Sequence, residues 1–215
     1  GRRGRYIEKE AKKMLENNKT PYDFTNYIVN ALKLSPSNTA ILCVDCQNGF
    51  TERCPKELPV SGTTEEWIDQ VNEFLTLMKE RNFKIFASMD DHPENHISFE
   101  KWPPHCIKGT FGNQLFINTY DFVIKKGIEI DGDSYSAFYK DIERKIESEL
   151  DELLRKHKIE NLVILGLAGD VCVIATIEDA LKHGFRVFPI SQYIKAVNKK
   201  DIKEIVEEKF GKIII

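Results

Sequence analysis

The stretch "NLVILGLAGDVCVIATIEDAL", residues 161–181, decides the fold. Its first six residues form an apolar run that stops at Gly166, the pattern of a strand buried on both faces. From residue 171 the apolar positions recur at helical spacing, and Gly184 stands where a helix over 171–183 would end. A buried strand that feeds into a helix is half of a βαβ unit, and such units pair their strands in parallel. Cys172 sits at the junction. A cysteine there is either a small buried hydrophobe or a nucleophile, and its neighbours in space must discriminate.

The same alternation extends outward along the chain. "TAILCVD" (39–45), "KIFASMD" (84–90), "DFVIKKG" (121–127) and "FRVFPI" (185–190) read as further strands, and "KIII" (212–215) as a sixth. Residues 65–80 set Trp67, Ile68, Val71, Phe74, Leu75 and Met78 on one helical face. Residues 139–156 set Ile142, Ile146, Leu150 and Leu153 at helical spacing, and a last helix falls around 201–209. The expected architecture is an α/β fold, a three-layer α/β/α sandwich around a mostly parallel six-stranded sheet. Two shorter helical stripes precede it: Ile7, Ala11 and Leu15, then Phe24, Tyr27, Ile28, Ala31 and Leu32. "LSPSN" (34–38) punctuates the chain after them. Residues 1–36 are therefore read as a helical N-terminal extension and residues 37–215 as one α/β domain.

Composition narrows the function. The 215 residues suffice for one domain with a full core, and 41% hydrophobic with 30% charged residues is ordinary for a soluble globular protein. A net charge of −3 argues against nucleic acid as the partner, since phosphate binding needs a basic face. No apolar run approaches the ~20 residues of a membrane span. The opening "GRRGRYIEKE" has no apolar signal-peptide core. The cysteines Cys43, Cys46, Cys54, Cys106 and Cys172 are odd in number and lack a framework spacing, which favours reduced thiols. A cytoplasmic location is expected, with the nucleus as the alternative. A homo-oligomer is left open.

In parallel α/β sheets ligands bind beyond the carboxyl ends of the strands. The first strand ends at Asp45, the second at Asp90 with His92 behind it, the third at Lys126, and the fourth leads to Cys172. Each alone has an ordinary structural explanation. Four on the edge where this architecture builds sites point to chemistry. A helix start and a nearby ammonium favour a thiolate. A carboxylate beside the thiol can act as general base, and amides of "LAGDVC" can hold an oxyanion. The set makes an acyl-transfer site of Cys, Asp and Lys.

"MDDHPENHISFEKWPPHC" (89–106) carries a second constellation. Asp90 and His92, two residues apart, point to one side of an extended segment. His105 follows after a loop stiffened by Pro103 and Pro104. One carboxylate and two imidazoles suit a divalent ion, zinc first, with iron or manganese as alternatives. His96 either bonds within the loop or approaches that ion.

These residues carry a resemblance. The chain over about 39–215 resembles the nicotinamidases, within the isochorismatase-like cysteine hydrolases. "ILCVDCQNGF" (41–50), "DDHPENHISFEKWPPHCIKGTFG" (90–112), "KKG" followed by "DSYSAF", and "GLAGDVCVIATIEDALKHGF" (166–185) bear it. It implies Asp45 as general base, Lys126 as the ion-pair partner (it directly precedes Gly127), and Cys172 as nucleophile. It implies Asp90, His92 and His105 as metal ligands, and Phe50 and Trp102 as walls around a pyridine ring. The Leu167–Ala168 peptide matches a cis bond of the family, with the Ala168 and Cys172 amides as the oxyanion hole. Val171 departs from the aromatic residue or histidine that many members carry before the nucleophile. The implied activity is hydrolysis of nicotinamide to nicotinate through a thioester, toward NAD. The alternatives are a related hydrolase of another small amide or carbamoyl compound, and a metal-holding interaction protein without catalysis.

Overall fold

The computed structural model describes residues 1–5, 19–198 and 200–215. The stripe of Ile7, Ala11 and Leu15 lies outside the described residues. Five strands, β1 Thr39–Val44, β2 Lys84–Asp90, β3 Phe122–Lys126, β4 Asn161–Gly166 and β5 Arg186–Ile194, form one sheet. Their order is β3-β2-β1-β4-β5, and each neighbouring pair is parallel. The uninterrupted apolar runs of β1 and β4 are explained by their central place, buried on both faces.

Strand alternation divides the core in two. Ala40, Leu42, Val44, Phe86, Leu162 and Ile164 face one helical layer, made of α3 Leu150–Lys156, α4 Ile174–Lys182 and α5 Ile202–Phe210. Ile41, Cys43, Ile85, Ala87, Val163 and Leu165 face the other, made of α1 Pro21–Asn26 and α2 Glu65–Glu80. All six apolar positions expected on α2 are buried, and Thr64 caps that helix by accepting from the Trp67 amide. In α1, Thr20 and Asp23 form a reciprocal capping box and Pro21 opens the helix. Phe24 and Ile28 are buried, and the Phe24 ring lies 5.0 Å from that of Tyr193. From Thr20 onward the N-terminal segment is thus continuous with the main core.

Two expectations need correction. The sheet has five strands rather than six: of "KIII", only Ile215 pairs with β5, giving its amide to Pro189 O and accepting from the Ser191 amide. A single residue is one rung rather than a ladder. The helix expected over 139–156 begins only at Leu150. Upstream, the Asp141 carboxylate bonds the amides of Lys145 and Ile146 and closes a turn that competes with the helix. Ile142 and Ile146 remain 44% and 57% exposed, so their helical spacing is not a buried face.

The strand order reverses between β1 and β4, and that switch point is where an open parallel sheet forms its ligand crevice. Gly166 ends β4 there at φ 126°, and a Cβ on it would run into the Val44 carbonyl. The two central strands approach so closely that only glycine fits.

Candidate active site

Asp45 follows β1, Asp90 ends β2, Lys126 ends β3, and Cys172 lies past β4 in the wide helical turn Gly169–Val173 that leads into α4. The Lys126 Nζ joins them. It stands 2.9 Å from Asp45 Oδ2 and 3.1 Å from Asp90 Oδ1. It also donates to the Ser134 carbonyl at 3.0 Å and to Cys172 Sγ at 3.5 Å. Lys126 is only 2% exposed. Strand alternation turns Lys125 the other way, where it is exposed and lies 3.6 Å from Asp91. The Asp45 carboxylate is steadied by Ser88, whose hydroxyl donates to Oδ1 at 2.8 Å.

Burial works against the Lys126 ammonium, yet Asp45 and Asp90 hold it well above the ordinary lysine value. Burial pushes the Asp45 carboxyl up, with Lys126 opposing. The Cys172 thiol is also pushed well above its ordinary value: burial outweighs the pull of Lys126, and Asp45, to which the thiol donates, adds to the rise. Lys126 pulls the thiol down, as expected from the sequence, but burial has the larger effect, and Asp45 is placed to take the thiol proton.

The second constellation also assembles. His92 Nε2 lies 3.4 Å, and His105 Nε2 3.8 Å, from Asp90 Oδ2. Each ring spends Nδ1 on a backbone carbonyl, Gly127 O for His92 and Pro103 O for His105, both at 2.8 Å. A carbonyl only accepts, so both Nδ1 carry the proton, and in the neutral ring each Nε2 presents a lone pair. His92 Nε2 is buried, with the Asp90 carboxylate 3.4 Å away as its neighbour among the described residues. Two imidazole lone pairs and a carboxylate oxygen, mutually within 4.8 Å, fit a divalent cation. Burial lowers the His105 pKa and keeps its ring neutral. His96 is otherwise engaged: its Nδ1 accepts from the Ser98 amide and its Nε2 meets Gly132 O, while the ring stacks on His92.

Between the two constellations lies a cavity of about 150 Å³, walled by Phe50, Trp102, Tyr135 and Val171, with Asp90, His105, Ala168 and Cys172 at its base. A space of that volume takes one six-membered aromatic ring. The Leu167–Ala168 peptide is cis and brings Ala168 to the cavity wall beside Cys172.

Three contributors escaped the sequence reading. Gln47 donates to Asp90 O at 2.6 Å and accepts from the Asp90 amide at 2.9 Å, fixing the end of β2. Asn113 donates to the carbonyls of Asp90 and Cys106. Ser134 supplies a carbonyl to Lys126. Gln47 and Ser134 lay inside quoted motifs and Asn113 one residue beyond one, but side-chain to backbone bonds leave no periodic signal that would single them out.

The family model of the isochorismatase domain matches residues 39–208, which hold the parallel sheet and the groups gathered at its switch point. The chain belongs to that family. It is 34% identical to the nicotinamidase of Escherichia coli (strain K12), over 74% of this chain and 84% of that protein. The crystal structure of the pyrazinamidase of Pyrococcus horikoshii in complex with zinc is 34% identical, with a TM-score of 0.72, covering 82% of this chain and 97% of that one. PnC1 from L. infantum in complex with nicotinate is 30% identical, with a TM-score of 0.75, covering 85% and 94%.

Proposed function

We propose that this protein hydrolyses nicotinamide to nicotinate and ammonia through a thioester on Cys172, a salvage step toward NAD. The observation that carries the proposal is the Lys126 ammonium in contact with Asp45, Asp90 and Cys172, the last two of which line a cavity sized for one aromatic ring. Relatives that are nicotinamidases, or that hold nicotinate, support the choice of ring.

In the proposed reaction the ring lies between Phe50 and Trp102. Asp90, His92 and His105 would hold a divalent cation, zinc by analogy with the Pyrococcus horikoshii relative, which would supply a Lewis acid to the substrate site. Asp45 takes the Cys172 proton as Sγ attacks the carboxamide carbon. The Ala168 and Cys172 amides hold the tetrahedral oxyanion. The C–N bond breaks, and Asp45 returns its proton to the departing ammonia. Water then attacks the thioester, giving one proton to Asp45. Nicotinic acid leaves as the C–S bond breaks and ionises to nicotinate by giving its proton to solvent, while Asp45 hands its proton back to Cys172. Lys126 stays charged and keeps the two carboxylates and the passing thiolate in one buried site.

Ammonia release from nicotinamide, pyrazinamide and a panel of small amides and carbamoyl compounds tests the reading. Nicotinamide and pyrazinamide should be turned over with the highest kcat/KM. Preference for a carbamoyl substrate would overturn the ring assignment, and no release from any amide would overturn the enzyme.

A further inference from the structure

We propose that Glu57 is a positioning residue for His105, a role that rests on the cation site proposed above. Glu57 lies in the loop before Val60, which runs beside the Asn48–Phe50 turn through Leu58 N to Gly49 O and Val60 N to Phe50 O, both at 3.0 Å. This lays the half-buried Glu57 side chain across Gly49 and toward Gly112. There its Oε1 accepts the Cys106 amide at 2.8 Å.

That amide belongs to the peptide joining His105 to Cys106, so the bond fixes the carboxyl side of the ligand. The other contacts on this segment point the same way. The Cys106 carbonyl accepts from the His92 amide at 3.2 Å and from Asn113 Nδ2 at 3.3 Å, which ties the two histidine segments together. The His105 ring is aimed by its bond to Pro103 O. Cys106 itself is fully buried and sits at φ +50°, a conformation that a residue with a Cβ adopts only when its surroundings impose it. Without Glu57 a buried N–H would lose its acceptor, and the segment would turn to satisfy it.

The space for the carboxylate is kept by two glycines. A Cβ built on Gly49 falls 2.5 Å from Glu57 Oε1, and one on Gly112 would overlap the same carboxylate. Glu57 therefore occupies a cradle that a side chain at either position would fill.

The experiment is a Zn²⁺ titration of the full-length protein by chelator competition, in wild type and in Glu57→Ala, Glu57→Gln, Gly49→Ala and His105→Ala. Loss of a partner that orients a ligand typically weakens binding by about 10–100-fold, and that drop is expected for Glu57→Ala. Glu57→Gln retains a carbonyl acceptor and should stay within about threefold of wild type. Gly49→Ala displaces the carboxylate from the opposite side and also crowds Cys106 Sγ and the Gly112 carbonyl, both 3.0 Å from the added methyl, so it should weaken binding at least as much. Wild-type affinity in Glu57→Ala would overturn the proposal, as would an equal loss in Glu57→Gln, because the accepted bond would not be the cause. If wild type and His105→Ala titrate alike, the cation site itself fails and the role of Glu57 falls with it. The His105→Ala arm separates that failure from one confined to Glu57.

Discussion

Replacing Lys126 by methionine removes the ammonium that touches Asp45, Asp90 and Cys172. At 3.5 Å and an effective dielectric of about 20, its attraction for a thiolate at Cys172 is about 5 kcal/mol. Without that attraction the thiol's pKa rises further. Asp45 and Asp90 share the same ammonium and cancel part of that effect, so the expected outcome is set lower. Alkylation of Cys172 by iodoacetamide at pH 7.5 should slow at least tenfold, and the midpoint of its pH profile should move upward. The sign follows because the thiol is already raised by burial and loses the Lys126 ammonium that lowers it. Two carboxylates left facing each other in a buried site should also cost about 3–5 kcal/mol of stability, visible as a lower melting temperature by circular dichroism. Lys125→Met, on an exposed side chain, should change neither measurement. An unchanged alkylation profile in a folded Lys126→Met protein would refute the assignment of Lys126 as the charge partner of the thiol.

Cys172→Ala should remove turnover while preserving the melting temperature within a few degrees, since the thiol is only a small buried group; residual activity above about a thousandth of wild type would end the covalent mechanism. Chelation, or His105→Ala, should weaken nicotinamide binding but leave Cys172 alkylation within about threefold, because the Lys126 contact uses the other oxygen of Asp90; a large change would show that the cation governs the thiol. His96→Asn should lower Zn²⁺ affinity far less than His105→Ala, since both its ring nitrogens are already engaged within the loop. Cys54 is pushed up to about 11 by burial and by Glu57 beside it. Its alkylation, followed by peptide mass spectrometry, should therefore climb with pH until about 11, and a plateau below pH 9 would contradict this environment. Gly166→Ala should destabilise the fold by about 3 kcal/mol or more, because the methyl meets the Val44 carbonyl at a positive φ; denaturant titration would show it.

How much of this was legible follows from which forces are local. β2 and β4 occupy the segments read from their apolar runs, because a strand buried on both faces has no polar position to interrupt the run. The α2 stripe is equally local. The segment 139–149 was misread because Asp141 competes for its amides, and an apolar spacing does not register such a bond. At the site, the strand ends could be named but their distances could not. Lys126 reaches from β3 to groups at the ends of β2, β1 and beyond β4, and only the order β3-β2-β1-β4 makes that reach short. The upward push on the Cys172 thiol was not legible for the same reason: the helix start and the lysine are readable neighbours, whereas the burial that outweighs them belongs to the whole fold.

Asp90 is where these non-local facts meet. Its Oδ1 faces Lys126 and its Oδ2 faces His92 and His105, so one buried carboxylate is shared by the thiol centre and the cation site. Burial alone would raise its pKa, but Lys126 and the two histidines reverse this and hold it ionised. A neutral residue here would leave the Lys126 ammonium with one carboxylate and the imidazole lone pairs with no anion. Asp90→Asn should therefore fail in both assays at once, raising the alkylation rate of Cys172 by freeing Lys126 toward the thiol while lowering Zn²⁺ affinity. Opposite movement of two readouts from one substitution is what separates a shared carboxylate from a general loss of structure, which would abolish binding and open every thiol to the reagent alike.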